Sequence, residues 1–300
     1  MKKILLCLIA LVAFSCKSSS TQGNLQSQKH QESQEVQLNI SILLDLSDRI
    51  NSQKSPAIPE HCQRDIEIIK TVIDFFKKDM RRLNAWKAKG KIKVFFSPPP
   101  ADTRINNIAK ELNIDCSLLD NKGKKNVYDS ITSTFTKNLT SIYNQTIAAN
   151  SWDGSDIWRF FKTDVKNYCV DDNPDYRNIL IILTDGYIYH IQSQYKNGNR
   201  YSFLLDKNIG KYRRENWQQM VEQDDFGIMA TRNDLQDLEV LVLELSAERQ
   251  NNKIDEDILT FVWEKWLKEM NVSNYGVYSS DLPVNTKIRI DRFLKNPAKK

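Results

Sequence analysis

The chain reads as an α/β protein with a doubly wound, mainly parallel sheet and helices on both faces. Three observations predict this. Short β-prone runs recur at 38–44, 91–97, 178–184, 238–245 and 275–279. The most continuous of them have the apolar character of strands buried on both faces. Segments with helical periodicity lie between the runs, the alternation expected of βαβ units. Two of the runs also end alike: Ile42-Leu43-Leu44-Asp45-Leu46-Ser47-Asp48-Arg49 and Ile179-Leu180-Ile181-Ile182-Leu183-Thr184-Asp185-Gly186. Each carries an aspartate to the carboxyl end of a strand, where open α/β sheets bind their ligands.

The N-terminus carries targeting information. Lys2 and Lys3 form a basic start, and 4–14 is apolar but short for a membrane span. Ala13-Phe14-Ser15-Cys16 then resembles the lipobox of bacterial lipoproteins. The resemblance implies a signal peptide at 1–15, cleavage before Cys16 and lipidation of that residue. Several acyl chains on one cysteine anchor stably where one chain binds only marginally. Residue 17 is Lys rather than Asp, which by the sorting rule of such lipoproteins implies the outer membrane. Residues 16–37 follow as a lipidated, flexible tether rich in Ser, Gln, Lys and Glu.

The whole chain has 43 basic and 38 acidic residues. Removing Lys2 and Lys3 leaves a nearly balanced protein, unlike the strongly basic domains that bind nucleic acid. Cys62, Cys116 and Cys169 remain after Cys7 and Cys16 are set aside, and none sits in a CxxC or Cys/His zinc spacing. His30, His61 and His190 are scattered, and no Ser/His/Asp arrangement emerges.

Residues 38–300 have the size of one sizeable domain. Between the first and second strands, 61–82 places Ile66, Ile69, Val72, Ile73 and Phe76 on one helical face. Further helices are predicted at 127–149, at 155–168 with Ser155 as N-cap, at 255–270 and at 284–294. Ser97-Pro98-Pro99-Pro100 stops the second strand, and 114–119 offers a weak additional strand. After the fourth main strand an insertion runs from about 187 to 236. Its runs at 187–191 and 201–205 flank Asn197-Gly198 and read as a hairpin.

With these residues in order, the chain resembles the von Willebrand factor A (vWA) domain, a doubly wound, Rossmann-like fold with a metal-ion-dependent adhesion site at its carboxyl rim. Asp45-Leu46-Ser47 matches the start of the family's Asp-x-Ser-x-Ser motif. Asp153-Gly154-Ser155 resembles the middle loop, with Ser155 offering the hydroxyl that threonine gives elsewhere. Thr184-Asp185-Gly186 matches the last element. The resemblance implies that Asp45, Ser47, Ser155 and Asp185 hold Mg²⁺ or Mn²⁺, with the two hydroxyls direct and the aspartates largely through water. Hard oxygen ligands suit those ions. It also implies an open coordination position that a partner's carboxylate fills.

Arg49 departs from the motif, where a third hydroxyl is expected. Either it points outward and leaves a weaker metal site, or its guanidinium swings in, pairs with Asp45 or Asp185 and substitutes for the ion. Asp after a strand and Ser at a helix start also occur for purely local reasons. Asp48 and Asp156 read as solvated turn residues, and Trp158 as core. Trp152, Tyr187 and Tyr189 are candidate partner contacts, and the insertion interleaves further aromatic residues with Lys and Arg, the types that interfaces favour.

The function expected is a membrane-tethered, non-enzymatic module that captures an envelope or extracellular protein through the cation rim. An alternative is a structural subunit of an envelope assembly in which Arg49 replaces the metal. A hydrolase using Asp45 as nucleophile is less favoured, because haloacid dehalogenase-type enzymes carry a second aspartate where this chain has Ser47.

Overall fold

The structure, a computed structural model, describes residues 35–249 and 253–298. The expectations that fall on 1–34, Cys16 and the signal segment among them, lie outside the described residues. Among those residues no helix is long and apolar enough to cross a membrane.

In chain order the first part runs β1 (Gln37–Leu44), α1 (His61–Lys87), β2 (Lys91–Phe96), α2 (Thr103–Lys110), β3 (Asn113–Asp115) and α3 (Asn121–Ala149). A broken helical stretch follows: α4 (Ile157–Arg159), a π-helical turn (Phe160–Asp164) and α5 (Val165–Cys169). Then come β4 (Tyr176–Leu183), the short pieces β5 (Lys196–Asn197), β6 (Arg200–Tyr201), α6 (Asp206–Ile209), α7 (Trp217–Gln223) and β7 (Gly227–Ile228), and finally β8 (Leu238–Leu245), α8 (Lys253–Glu269), β9 (Asn274–Ser279) and α9 (Pro283–Lys295).

Six strands form one mixed sheet in the order β3-β2-β1-β4-β8-β9. Five run parallel; β3 pairs antiparallel with β2, through Lys91–Lys93 only. The weak strand expected at 114–119 is thus this short edge strand, followed by a 3₁₀ turn at Cys116–Leu118. From β1 the chain moves outward through β2 to β3, then returns to the other side of β1 as β4. The order therefore reverses between β1 and β4.

Side chains alternate across the central strands and feed two cores. Ile40, Ile42, Leu44, Ile179 and Ile181 pack with Ile69, Val72 and Phe76 of α1, Phe135 and Ile142 of α3, and Ile290 of α9. Leu43, Leu180, Ile182, Val240 and Val242 pack on the other face with Phe160, Phe161, Val165 and the α8 residues Trp263 and Trp266. This alternation, period two on strands with helices above and below, explains why the central runs are apolar at every position. At roughly 25 cal/mol per Å² of buried apolar surface, each of these side chains contributes about 1.5–3 kcal/mol.

Three local expectations are corrected. The helix at 61–82 continues to Lys87 across a kink at Asn84, whose φ is +61°. The predicted helix at 155–168 begins at Ile157, and its cap is Asp156, whose side chain accepts the N–H of Arg159, not Ser155. Between Pro100 and β3 lies α2, capped by Asp102, which the sequence reading left without an element. The hairpin at Asn197-Gly198 does form, with φ +58° at Gly198. Its flanking runs meet only through the bridge Ile188–Leu204.

Candidate functional site at the carboxyl rim

β1 and β4 end in register, Leu44 beside Leu183, so Asp45 and the Thr184-Asp185 pair leave the sheet together. The Asp45 N–H donates to Leu183 O at 3.0 Å, and the Thr184 N–H to Leu243 O at 3.2 Å. The carboxylate of Asp45 is buried and closes two local bonds. Its Oδ1 accepts the Ser47 N–H at 2.9 Å, and its Oδ2 accepts the Thr184 hydroxyl at 2.8 Å. Thr184 Oγ1 in turn accepts the Gly186 N–H at 3.1 Å. Gly186 stands at φ +95°, where an added Cβ would meet Leu245 Cγ at 3.0 Å, so this tight exit from the sheet requires glycine.

Asp185 is only partly enclosed, and its Oδ1 accepts the Tyr187 N–H at 3.0 Å. Burial and the negative charge of Asp45 nonetheless push its carboxyl up to about 7, against the opposing pull of Arg49.

The third element arrives from the opposite side. Ser155 bonds Tyr189 through both backbone groups, its N–H to Tyr189 O at 2.8 Å and the Tyr189 N–H to its O at 3.0 Å. Gly154 stands at φ +81°, and an added Cβ would lie 2.2 Å from Tyr189 O, so the two loops approach only because residue 154 is glycine. The Ser155 hydroxyl is buried and has no hydrogen-bond partner among the described residues. A buried hydroxyl left unmade costs about 1–3 kcal/mol.

Arg49 points inward. Its side chain is fully buried; Nε donates to Asp45 O at 3.0 Å, and Nη2 pairs with Asp65 of α1. Tyr143 of α3 donates its hydroxyl to the same Asp65 oxygen at 2.7 Å. Burial works against the guanidinium charge, yet Asp65, then Asp45, Tyr143 and Asp185, together hold its pKa above the ordinary arginine range. Of the carboxylates expected to pair with Arg49, neither makes the direct bond. Asp65 does, because α1 carries it into the core directly beneath the rim. The alternative of an outward Arg49 is not what the structure shows.

Sequence reasoning missed Asp65, Tyr143 and Thr184. Asp65 had a legible signal: it lies on the same helical stripe as Ile69, Val72 and Phe76, an acid where the pattern calls for an apolar residue. Nearby, His61 is pushed down to about 4 by burial and by Arg49 and Arg64, and Ser55 Oγ lies 3.2 Å from its Nε2.

Other expected residues are placed as follows. Asp48 is exposed and pairs with Lys54, as a solvated turn residue does. Asp156 is not solvated; it is buried, accepts Ser193 Oγ at 2.8 Å and Arg159 Nε at 3.0 Å, and lies 3.3 Å from His190 Nδ1. Trp158 is core, its Nε1 bonded to Met229 O. Trp152 is half-buried against the first core, Tyr187 is half-buried with its hydroxyl accepting the Glu248 N–H, and Tyr189 is exposed. Cys62, Cys116 and Cys169 are free thiols.

The carboxyl rim thus carries Asp45, Ser47 and the Thr184-Asp185 pair, with Ser155 joined to the loop after Asp185 through Tyr189 and Arg49 paired with Asp65 of α1. Among the described residues no group of three or more His, Cys, Asp and Glu is placed to hold a metal ion. The rim set is instead a mixture of carboxylates and hydroxyls, hard donors in kind. Arg49 lies in the field of three carboxylates, Asp65, Asp45 and Asp185, of which only Asp65 pairs with it directly.

Fold and rim together define an α/β protein whose candidate site stands at the carboxyl ends of two adjacent strands. No protein-family model matches the chain, and no curated protein matches it. Among solved structures it is similar to the pilus adhesin SpaC from Lactobacillus rhamnosus GG, with a TM-score of 0.39 and 9% identity, over 87% of this chain and 30% of the adhesin's. The chain therefore spans under a third of that adhesin, and a likeness this low carries no argument about either fold family or function.

Proposed function

We propose that the chain is a non-enzymatic binding module of a bacterial envelope, tethered through lipid on Cys16, with a doubly wound domain and a degenerate vWA-type rim. Asp45, Ser47, Ser155 and Asp185 take Mg²⁺ or Mn²⁺ there and present it to a carboxylate of a protein partner. The observation that carries this reading is the Ser155 hydroxyl, buried without a partner at a rim that holds more carboxylates than cations. A divalent ion would offset the carboxylate charge there and give that oxygen a ligand role. The reversal of strand order between β1 and β4 supports the placement, since open α/β sheets bind at such points. Tyr189 and Trp152, on either side of Ser155, then border the ion and are the first partner contacts to test, with Tyr187 set deeper.

A second reading has one observation in its favour. Arg49 is fully buried within the field of both Asp45 and Asp185 and already supplies one fixed cation. In that reading the module is a structural subunit whose metal site is vestigial.

Manganese titration followed by electron paramagnetic resonance separates the two. The metal reading expects loss of the free Mn²⁺ signal at one ion per chain, abolished by Asp185→Ala and weakened by Ser155→Ala. The second expects no binding by the native chain and a gain of binding in Arg49→Ser.

A further inference from the structure

A cavity of about 490 Å³ opens at the sheet edge beside β2, and its origin is topological. The edge strand β3 pairs with β2 only through Lys91–Lys93, so the second half of β2 has no strand neighbour beyond it. The helical stretch 157–169 covers one side of that gap and α2 the other.

The lining combines two chemistries. Phe95, Phe160 and Tyr168 form an aromatic wall, with ring centroids 5.1 Å apart for Phe95–Phe160 and 5.5 Å for Phe95–Tyr168. Tyr168 is 49% exposed, so part of this wall is presented outward. Against it stands Lys93, half-buried, with no hydrogen bond or ion pair of its ammonium among the described residues. Its neighbour Lys91 is closed by Asp115 and Asp171, and Arg159 at the mouth is committed to Asp156 and Asp164. Lys93 is therefore the cation left to a ligand, while Lys110 on α2 adds positive charge at the entrance. Burial holds Lys93 below the usual lysine range, and the like charge of Lys91 adds to this, against the opposing pull of Asp171 and Asp115. A half-buried ammonium in that state gains from an anion. The wall itself includes the π-helical turn Phe160–Asp164, a distortion often found at functional sites.

We infer that this cavity is a second binding site, for a small monoanionic carboxylate with an aromatic body, seated with its acid on Lys93 and its ring against Phe95, Phe160 and Tyr168. The volume suits such a molecule, since small-ligand sites run from about 300 to 1,000 Å³ and combine apolar walls with few polar anchors. The Lys93 ammonium beside the aromatic wall matches one negative charge, and a flat aromatic body gains offset or edge contacts with the three rings. The inference does not depend on the metal reading of the rim.

Calorimetric titration of the intact chain with 2-naphthoate and its uncharged isostere 2-naphthamide tests it. The expected result is saturable naphthoate binding at least about ten-fold tighter than the amide, as for a charge-assisted contact. Lys93→Met should remove that preference while leaving amide binding within about two-fold, a change well below that of a lost charge-assisted contact. Tyr168→Ala, at a half-exposed ring packed on Phe95 and Phe160, should weaken both probes. Asp185→Ala should change neither. Equal affinity for the two probes, naphthoate binding unaltered by Lys93→Met, or no saturable binding at all would overturn the inference.

Discussion

The rim and the inserted segment between β4 and β8 are both dense in charge, yet they leave their polar groups in opposite conditions. In the insertion the charges are largely closed. Arg200 holds Asp225 and Glu269, Arg213 holds Asp206 and Asp255, and Lys211 holds Asp224, with Asp255 Oδ2 the exception, buried without a partner among the described residues. Several of its aromatic residues turn inward: Tyr212 stacks on Phe226 at 4.6 Å, and Tyr201 meets Phe203 at 5.3 Å. At the rim the opposite holds. Ser155 Oγ, Arg49 Nη1 and Asp65 Oδ1 are buried without partners, and Asp185 is pushed toward its neutral form. Residue type alone pointed to both regions. Satisfaction of the polar groups separates them, because a folded chain leaves few buried donors and acceptors unmet without a reason.

Substitutions can break this contrast, starting with the deepest. Asp65→Ala removes the direct partner of a fully buried guanidinium and orphans the Tyr143 hydroxyl. The expected loss is about 3–5 kcal/mol in urea unfolding, the cost of stranding one half of a buried pair. Arg213→Ala, its counterpart in the insertion, strands the buried carboxyl of Asp255. Partial exposure of Asp206 softens that effect, so about 2–3 kcal/mol is expected by the same measurement. Equal losses at the two sites would mean that the rim pair is no more enclosed than the insertion's.

A smaller effect sharpens the comparison through pH. The Asp185 carboxyl titrates near 7 in the folded chain, whereas an unfolded aspartate titrates near about 4. Between those values the folded state holds a proton that the unfolded state has released. The contribution of Asp185 to stability is therefore fully present below about pH 4 and is lost as pH rises through about 7. Unfolding free energies measured from about pH 5 to 8, across the upper part of that range, should fall with pH for the native chain. Asp185→Asn should flatten that part of the slope. An unchanged slope in the variant would place the titration elsewhere.

Much of the fold was legible because the central strands are buried on both faces and so carry uninterrupted apolar runs. The rim aspartates were legible for the same reason: they terminate those runs. What was not legible depended on partners distant in sequence. Asp65 stood out as an acid on the apolar stripe of α1, but its partner Arg49, 16 positions away, was set only by the fold. Asp156 looked like a turn residue until Ser193 and His190 closed over it. The edge strand β3 was weak because three residues with one paired side give little hydrophobic pattern. The break in the 157–169 helix has no sequence signal that we can name.

The central claim is that the rim has an unmet need for a divalent cation, and thermal unfolding with and without millimolar Mn²⁺, at pH 6 and pH 8, tests it most directly. An ion at a hundred times its dissociation constant stabilises the folded state by about 2.7 kcal/mol. The account predicts a higher unfolding temperature for the native chain in Mn²⁺, with a larger rise at the higher pH, where the ion no longer competes with a proton on Asp185. It predicts no rise for Asp185→Ala. An unfolding temperature of the native chain that is indifferent to Mn²⁺ and Mg²⁺ at both pH values would contradict it.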